Sequence, residues 1–435
     1  MKNKLFTILI FFCISIYNVS SQEILTVEDA VKIALKNNYE IKISKNNLEI
    51  DKTNVTIGNA GILPQLSANI IDTNTLQNSS QTLQNGNINT LNNAKNNRLS
   101  YGVNLDWTIF DGFRMFARLD QLKELQKLGD EQLKLIITTR ISDVISTYFD
   151  LVQQQQQLSA LDTTIVISNQ RLILAQNRYT IGKASKLEVL NAQVDLNTDR
   201  TALLRQTELY KNTKIVLNQI LARDLKTDYR VVHTINIDKQ LVLSELTILA
   251  EKQNPQLQTQ IINRKISELQ LKQIKSNRYP IVRLNSGYTF INTESSLGFT
   301  AQTAARGFNY GLTATLNLFD GFNQVRNEKI AKIQIENSQI LIEQQKLNLN
   351  SQLETSYQTY LTNLELIVLE EKNEEIAKQN LEITLEKFRI GTITTLEFRT
   401  AQLNYINSKV RNSNAQFQAK ISEITLKELA GNVTL

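Results

Sequence analysis

The sequence predicts an α+β membrane protein in which each chain carries four β-strands and long α-helical hairpins, arranged as two tandem repeats. Three observations lead there. The chain nearly repeats itself, it runs for long stretches without helix breakers, and each such stretch follows a segment of strict apolar–polar alternation. The segment from Tyr101 to Phe113 returns as Tyr310 to Phe322 at an offset of 209 residues, with Phe110-Asp111-Gly112-Phe113 matched by Phe319-Asp320-Gly321-Phe322. Arg178 to Gly182 returns as Lys387 to Gly391 at the same offset. Upstream, Ala34 to Asn38 matches Ala250 to Asn254, and Pro64 matches Pro280, both at an offset of 216. One loop between Pro64 and Tyr101 is therefore 7 residues longer than its counterpart. Self-similarity at fixed spacing means one architectural unit used twice.

Taken in order, the chain opens with Met1-Lys2-Asn3-Lys4, an apolar run from Leu5 to Tyr17 and a polar, small-residue exit to Ser21. This is the pattern of a secretory signal peptide over residues 1–21, and the run falls short of the ~20 residues a spanning helix needs. Cys13, the only cysteine, lies inside it behind Phe11 and Phe12, which disfavours lipidation. Cleavage near Ser21 would leave no thiol for a disulfide framework, a nucleophile or a zinc cluster. Repeat 1 is expected over residues 22–224, a linker over 225–243 and repeat 2 over 244–435.

Each repeat has the same plan. A helix from about Thr26 to Gly58 leads to Pro64, which ends it and opens a strand where Leu66, Ala68 and Ile70 alternate with Gln65, Ser67 and Asn69. Residues 77–98, rich in Asn, Gln, Ser and Thr, read as a polar loop. The second strand then alternates Leu99, Tyr101, Val103, Leu105, Trp107 and Ile109 with polar or small residues; Phe308 to Leu318 do the same in repeat 2. Asp111 and Asp320 stand where an N-cap would accept a backbone N–H. From Phe113 to Tyr179 there are 67 residues with no proline and one glycine, and Phe322 to Phe388 contain neither. At ~1.5 Å per residue each is a helix about 100 Å long, far beyond an ordinary globular helix. Gly182 and Gly391 suit helix C-termini. Return helices follow from about Ser185 to Ala222 and Thr395 to Ala430. The mixed segment Leu225 to Leu243 suits a short collar on the helices.

Composition narrows function. The chain beyond the leader has no run of 18 apolar residues, hence no transmembrane helix. The net charge of +6 comes from interspersed charges without a basic, aromatic-laced patch, so nucleic acid is not an expected partner. One histidine, His233, and two methionines supply neither a metal cluster nor a triad; no nucleophile elbow or phosphate loop is present. No catalytic residue, cofactor or metal is expected, and the protein does not read as an enzyme. The strands instead show the period of membrane β-barrel strands, with Tyr101, Trp107 and Tyr310 as interfacial anchors. Four strands cannot close a barrel, and open edges in lipid would leave backbone groups unsatisfied. The chain must oligomerise, and three copies would supply about 12 strands, within the bacterial range.

The tandem repeat, the strand–Phe-Asp-Gly-Phe–helix junctions and the two glycine turns, each followed by a Leu-Glu pair, resemble the TolC-type outer-membrane efflux proteins over essentially the whole mature chain. The resemblance implies a homotrimer, a 12-stranded β-barrel held in outer-membrane lipid and continued by an α-helical barrel across the periplasm. It implies a passive export duct, joined by a periplasmic membrane-fusion adaptor to an inner-membrane pump or ABC transporter. It also places the gate at the glycine turns, where carboxylates usually follow. Glu188 and Glu397 occupy those positions, Thr400 replaces a second acidic residue, Ile393 a basic one, and Phe388 stands where a tyrosine often latches the tip. These departures lead us to expect a more apolar closure. Tyr179, Gly182, Arg389 and Gly391 would form the adaptor-docking tip. Read alone, Glu188 and Glu397 equally suit the positive end of a helix dipole, whereas a symmetry-related ring of Glu397 would favour cations. A structural trimeric coiled-coil stalk or adhesin anchored in the outer membrane is the alternative; such a protein would place its membrane strands once, not twice.

Overall fold

The computed structural model describes residues 23–296 and 300–433; the expected leader with Cys13 lies outside them. Backbone proximity divides the chain into two units, one of residues 1–45, 133–256 and 346–435, the other of residues 46–132 and 257–345.

The first unit is built from helices around a short strand pair. β1 (Glu23–Leu25) runs parallel to β4 (Tyr229–Val231), with Leu25 opposite Val231. α1 (Val27–Asn37) is capped by Thr26, whose side chain accepts from the Asp29 N–H. Leu25, Ala34, Ile145, Leu151, Leu217 and Ile424 bury together, drawn from β1, α1, α3 (Arg114–Thr180), α4 (Lys186–Ile220) and α8 (Thr395–Leu429). The Tyr148 hydroxyl ties this core to both strands, donating to the Leu25 carbonyl at 2.8 Å and accepting from the Val232 N–H at 3.0 Å. Burial pushes the Tyr229 phenol well above its ordinary pKa, and the Arg223 guanidinium lies 4.4 Å over its ring. The linker between repeats packs on the helices: Tyr357, in α7 (Asn323–Ile390), donates to the Leu241 carbonyl at 3.2 Å, and Glu423 accepts from the Asp238 N–H at 3.0 Å.

The single first helix expected from Thr26 to Gly58 is two. The chain breaks at Asn38 before α2 (Tyr39–Asn54). The Asn38 carboxamide oxygen accepts from the N–H groups of Glu40 and Ile41 at 2.9 and 3.2 Å, and its amide donates to the Ile220 carbonyl at 2.9 Å. An Asn side chain that offers the backbone local bonds competes with helix continuation. Repeat 2 breaks the same way: Asn254 separates α5 (Leu243–Gln253) from α6 (Pro255–Lys275) and donates to the Leu429 carbonyl at 3.0 Å. Ile220 and Leu429 end the two return helices, so in each repeat one Asn side chain satisfies the end of a distant helix. Asn38→Ala is expected to destabilise by about 1–3 kcal/mol through the lost cap and the stranded carbonyl, seen as a lower thermal midpoint in detergent. Asn38→Asp, which keeps the cap but not the donor, should fall between.

The second unit contains one antiparallel sheet in the order β2 (Gln65–Thr82), β3 (Ile88–Phe110), β5 (Ile281–Ser295) and β6 (Gln302–Thr315). Pro64 and Pro280 stand just before β2 and β5. The polar loop expected over residues 77–98 is mostly strand: Ser79 pairs with Leu91 and Thr82 with Ile88, leaving a tight turn with Gly86 at φ +86°. Antiparallel backbone bonding is indifferent to side-chain polarity, so Asn, Gln, Ser and Thr extend the ladder beyond the apolar band. β6 behaves oppositely: it stops at Thr315, although the alternation runs on to Leu318.

At both strand-to-helix junctions the aspartate caps as expected. The Asp111 carboxylate accepts from the Met115 N–H at 3.0 Å, and that of Asp320 from the Gln324 N–H at 2.7 Å. Between cap and helix come two left-handed residues, Gly112 and Phe113 at φ +69° and +67°, and Gly321 and Phe322 at +69° and +63°. A left-handed aromatic residue carries roughly 1–2 kcal/mol of strain, which the capped elbow holds in place.

Candidate functional site

The repeated glycine turns organise the ends of the helical hairpins. Gly182 (φ +74°) donates to the Tyr179 carbonyl at 3.0 Å and Lys183 to that of Arg178 at 2.8 Å. Gly391 (φ +82°) and Thr392 do the same to Phe388 and Lys387 at 3.1 and 3.0 Å. Both are left-handed C-terminal caps, for which glycine has no side-chain penalty. Ser185 then caps α4, and Thr394 caps α8.

The two expected gate carboxylates have different surroundings. Glu397 closes a capping box: it accepts from the Thr394 N–H at 3.0 Å while its own N–H donates to the Thr394 hydroxyl at 3.2 Å. Such reciprocal bonds satisfy two otherwise orphaned donors at a helix start, and Glu397 remains exposed. Glu188 is largely covered and paired with Arg178 at 3.4 Å. Thr400 donates to the Leu396 carbonyl of its own helix at 3.0 Å. Tyr179 is exposed, and Arg389 pairs with Glu386 at 2.8 Å.

Phe388 lies inside the tip, 1% exposed. It stacks on Phe398 with ring centres 5.1 Å apart and planes 16° from parallel, and the Arg178 guanidinium lies 5.6 Å from its centre. Leu381 and Ala401 complete this small core, with Leu174 and Ile393 packed against it. Apolar side chains of α3, α7 and α8 thus fill the interior beside the glycine turns.

An ionic cluster sits beside that core, and sequence reasoning missed it. Arg399 makes two hydrogen bonds to the Asp199 carboxylate, at 2.9 and 2.8 Å, and approaches Asp195 at 3.7 Å. Arg171, its side chain 1% exposed, pairs with Asp195. Ser168 donates to Asp199, Gln402 donates to Ser168 at 2.8 Å, and Arg399 also reaches Gln402 at 3.2 Å. Burial alone would lower the Arg399 pKa; the hydrogen bond and charge of Asp199, with Asp195, outweigh it and raise the pKa. The cluster joins α3, α4 and α8. A signal for it exists: Arg171, Asp195, Asp199 and Arg399 stand where the other repeat has Asn380, Asn404, Ser408 and Leu190, all departures from the internal match.

In the sheet, Tyr101 stacks on Phe290 at 5.0 Å, and the Trp107 indole N–H donates to the Ile62 carbonyl at 2.9 Å. Tyr310 on β6 is 79% exposed, against 38% for its repeat counterpart Tyr101. Leu66, Ile70 and Leu312 are exposed as well. Among the described residues no group of three or more His, Cys, Asp or Glu side chains could hold a metal, and no helix is long and apolar enough to cross a membrane.

An apolar-faced open sheet on a repeated chain, combined with long hairpins ending in capped glycine turns, defines an outer-membrane channel subunit. The family model described as outer membrane efflux protein matches residues 30–223 and 246–432, and the chain belongs to that family. Its structure is similar to the Campylobacter jejuni CmeC outer membrane channel (TM-score 0.79, 16% identity, 93% of this chain and 85% of that one). It is also similar to the outer membrane protein VceC of Vibrio cholerae (0.76, 14%, 93% and 96%) and to the open Neisseria gonorrhoeae MtrE channel (0.74, 14%, 93% and 89%). At these identities the likeness establishes the fold. The protein is an outer-membrane efflux channel, and its family and structural neighbours are channels rather than enzymes.

Proposed function

We propose that three copies close one barrel and act as the passive outer-membrane duct of a tripartite efflux or type I secretion system, opened by a periplasmic adaptor and an inner-membrane pump or ABC transporter. The observation that carries this reading is the pair of sheet edges, β2 and β6, that have no strand partner among the described residues although their apolar side chains are exposed. Lipid tolerates strands only when every edge is paired, so further copies must supply the closure. The exposed turn residues Tyr179, Gly182, Arg389 and Gly391 are the adaptor-docking surface in this reading, and Glu397, repeated by symmetry, forms an acidic ring at the constriction.

Planar-bilayer recording of detergent-purified protein tests both levels. The native protein should insert as a trimer and conduct with cation preference. Glu397→Gln should lower that preference and weaken block by divalent cations several-fold, because an acidic ring both attracts and binds cations. Unaltered selectivity and block would remove the ring. A monomeric protein that never conducts would remove the duct.

A further inference from the structure

We infer that the joint between neighbouring subunits copies the joint between the two repeats inside one chain, which fixes its register: Tyr310 faces the partner's Asn74, Leu312 the partner's Asp72, Thr313 the partner's Ile71, and Ala314 the partner's Ile70. The inference rests on the closed-barrel reading and adds to it the residues that meet.

The two repeats are superimposable at the level of hydrogen-bonded pairs. In repeat 1, Leu66 pairs with Leu105 and Ile70 with Tyr101; in repeat 2, Val282 pairs with Ala314 and Ser286 with Tyr310. Shifting the first set by 216 residues on its first strand and 209 on its second reproduces the second set. These are the offsets found in the sequence alone. The strands that join the repeats, β3 and β5, pair Tyr101 with Phe290, Val103 with Tyr288 and Asn104 with Gly287. Applying the same shifts converts that joint into one between β6 and the β2 of a second copy. No other strand of the chain is free to take either edge among the described residues.

Three further observations agree. First, side chains on the outer edge are more exposed than their counterparts at the inner joint: Leu318 is 89% exposed against 47% for Ile109. Second, β3 runs to Phe110 because Trp107, Thr108 and Phe110 pair with β5. Their counterparts Leu316, Asn317 and Phe319 lie beyond the end of β6, and the inferred register pairs them with the partner's Ala68, Ser67 and Leu66. Third, the glycines acquire a reason. A side chain on Gly102 would come within 2.4 Å of the Tyr288 carbonyl oxygen across the inner joint, whereas one on Gly311 would meet nothing within 4 Å. In the inferred joint Gly311 faces the strand carrying the partner's Asp72, as Gly102 faces that carrying Tyr288. The Phe319-Asp320-Gly321-Phe322 elbow likewise meets the partner's Ala60 and Leu63, as Gly112 meets Ser276 and Tyr279. One position differs: the partner's Ile71 stands where the inner joint has Gly287, so the outer joint makes room for a side chain there.

Register is the quantity at stake, because side chains alternate along a strand. A slip of one residue would set the apolar face of β6 beside the polar face of β2; a slip of two would keep the faces and lose the copied pairing. Disulfide trapping separates these. In full-length protein with Cys13→Ser, cysteine at Thr313 is combined with cysteine at Asn69, Ile71 or Thr73, and cysteine at Leu312 with cysteine at Ile70, Asp72 or Asn74. Directly opposed residues sit about 4.5–5.5 Å apart at Cα in alternating pair types, within disulfide reach. Oxidation in isolated outer membranes should convert the 313/71 and 312/72 variants mainly to reducible covalent trimers and leave the others near background. Linkage chiefly through 69 or 73, or through 70 or 74, overturns the register. So does an absence of links in protein that still runs as a trimer and conducts. Native protein that is monomeric and silent in bilayers sinks the closed barrel itself, and the register with it.

Discussion

Arg399→Ala is expected to destabilise the helical tip by about 3–5 kcal/mol, the range for removing one partner from a buried charge pair. The size follows from what is left behind. The Asp199 side chain is 8% exposed and would lose both hydrogen bonds from the guanidinium. Asp195 would keep only Arg171. Arg399→Lys should recover little, since an ammonium cannot reproduce the forked bond to one carboxylate. A double variant, Arg399→Met with Asp199→Asn, should recover more, because it removes the stranded charge along with the missing partner. The readout is hydrogen exchange of helix segments 164–175, 192–202 and 397–405, which should rise together in Arg399→Ala. Bilayer recordings should show added leak without change in the open-state current. Exchange that stays at the native level would mean the cluster is solvated and contributes nothing.

Phe398→Ala carries the second large effect, also about 3–5 kcal/mol, the usual range for truncating a fully buried aromatic residue. Phe398 is 0% exposed and supports Phe388 by stacking, and the Gly391 turn lies between them in sequence. Emptying that position loosens the turn from inside, so brief proteolysis should cut between residues 389 and 395 in the variant and not in the native protein. Phe398→Leu should show less than half the loss. Phe388→Ala should resemble Phe398→Ala, and the double variant should lose less than the two singles combined, because contacting residues share the same interaction. Strict additivity would place the two rings in separate environments.

The parts of the fold that were legible in the sequence are those written twice or carried by a backbone need. Gly182 and Gly391 announce left-handed turns, Asp111 and Asp320 announce caps, and alternation around Tyr101 and Tyr310 announces strands. The break at Asn38 was hidden because apolar periodicity continues across it, and only the distant Ile220 carbonyl shows what the side chain is for. The extended hairpin at residues 77–98 was hidden because polar composition reads as loop, while the ladder needs only backbone groups. Of the candidate site, the positions of Glu188, Glu397 and Phe388 relative to the turns were readable, but not that Phe388 faces inward. The cluster around Arg399 was invisible for a different reason. Its charges come from three helices more than 200 residues apart at the extremes, and single charges on a helix read as a solvated face until their partners are known.

The short parallel pair of β1 and β4 has a consequence for how the molecule comes into being. Leu25 is among the first described residues to leave the ribosome, yet its ladder partner Val231 emerges some two hundred residues later. Non-local pairings of this kind slow folding, since the intervening loop must close before the contact gives any return. The N-terminal strand therefore waits, unpaired, through the synthesis of the whole first repeat, and nascent chains stopped short of residue 231 should stay open to proteases at their amino end.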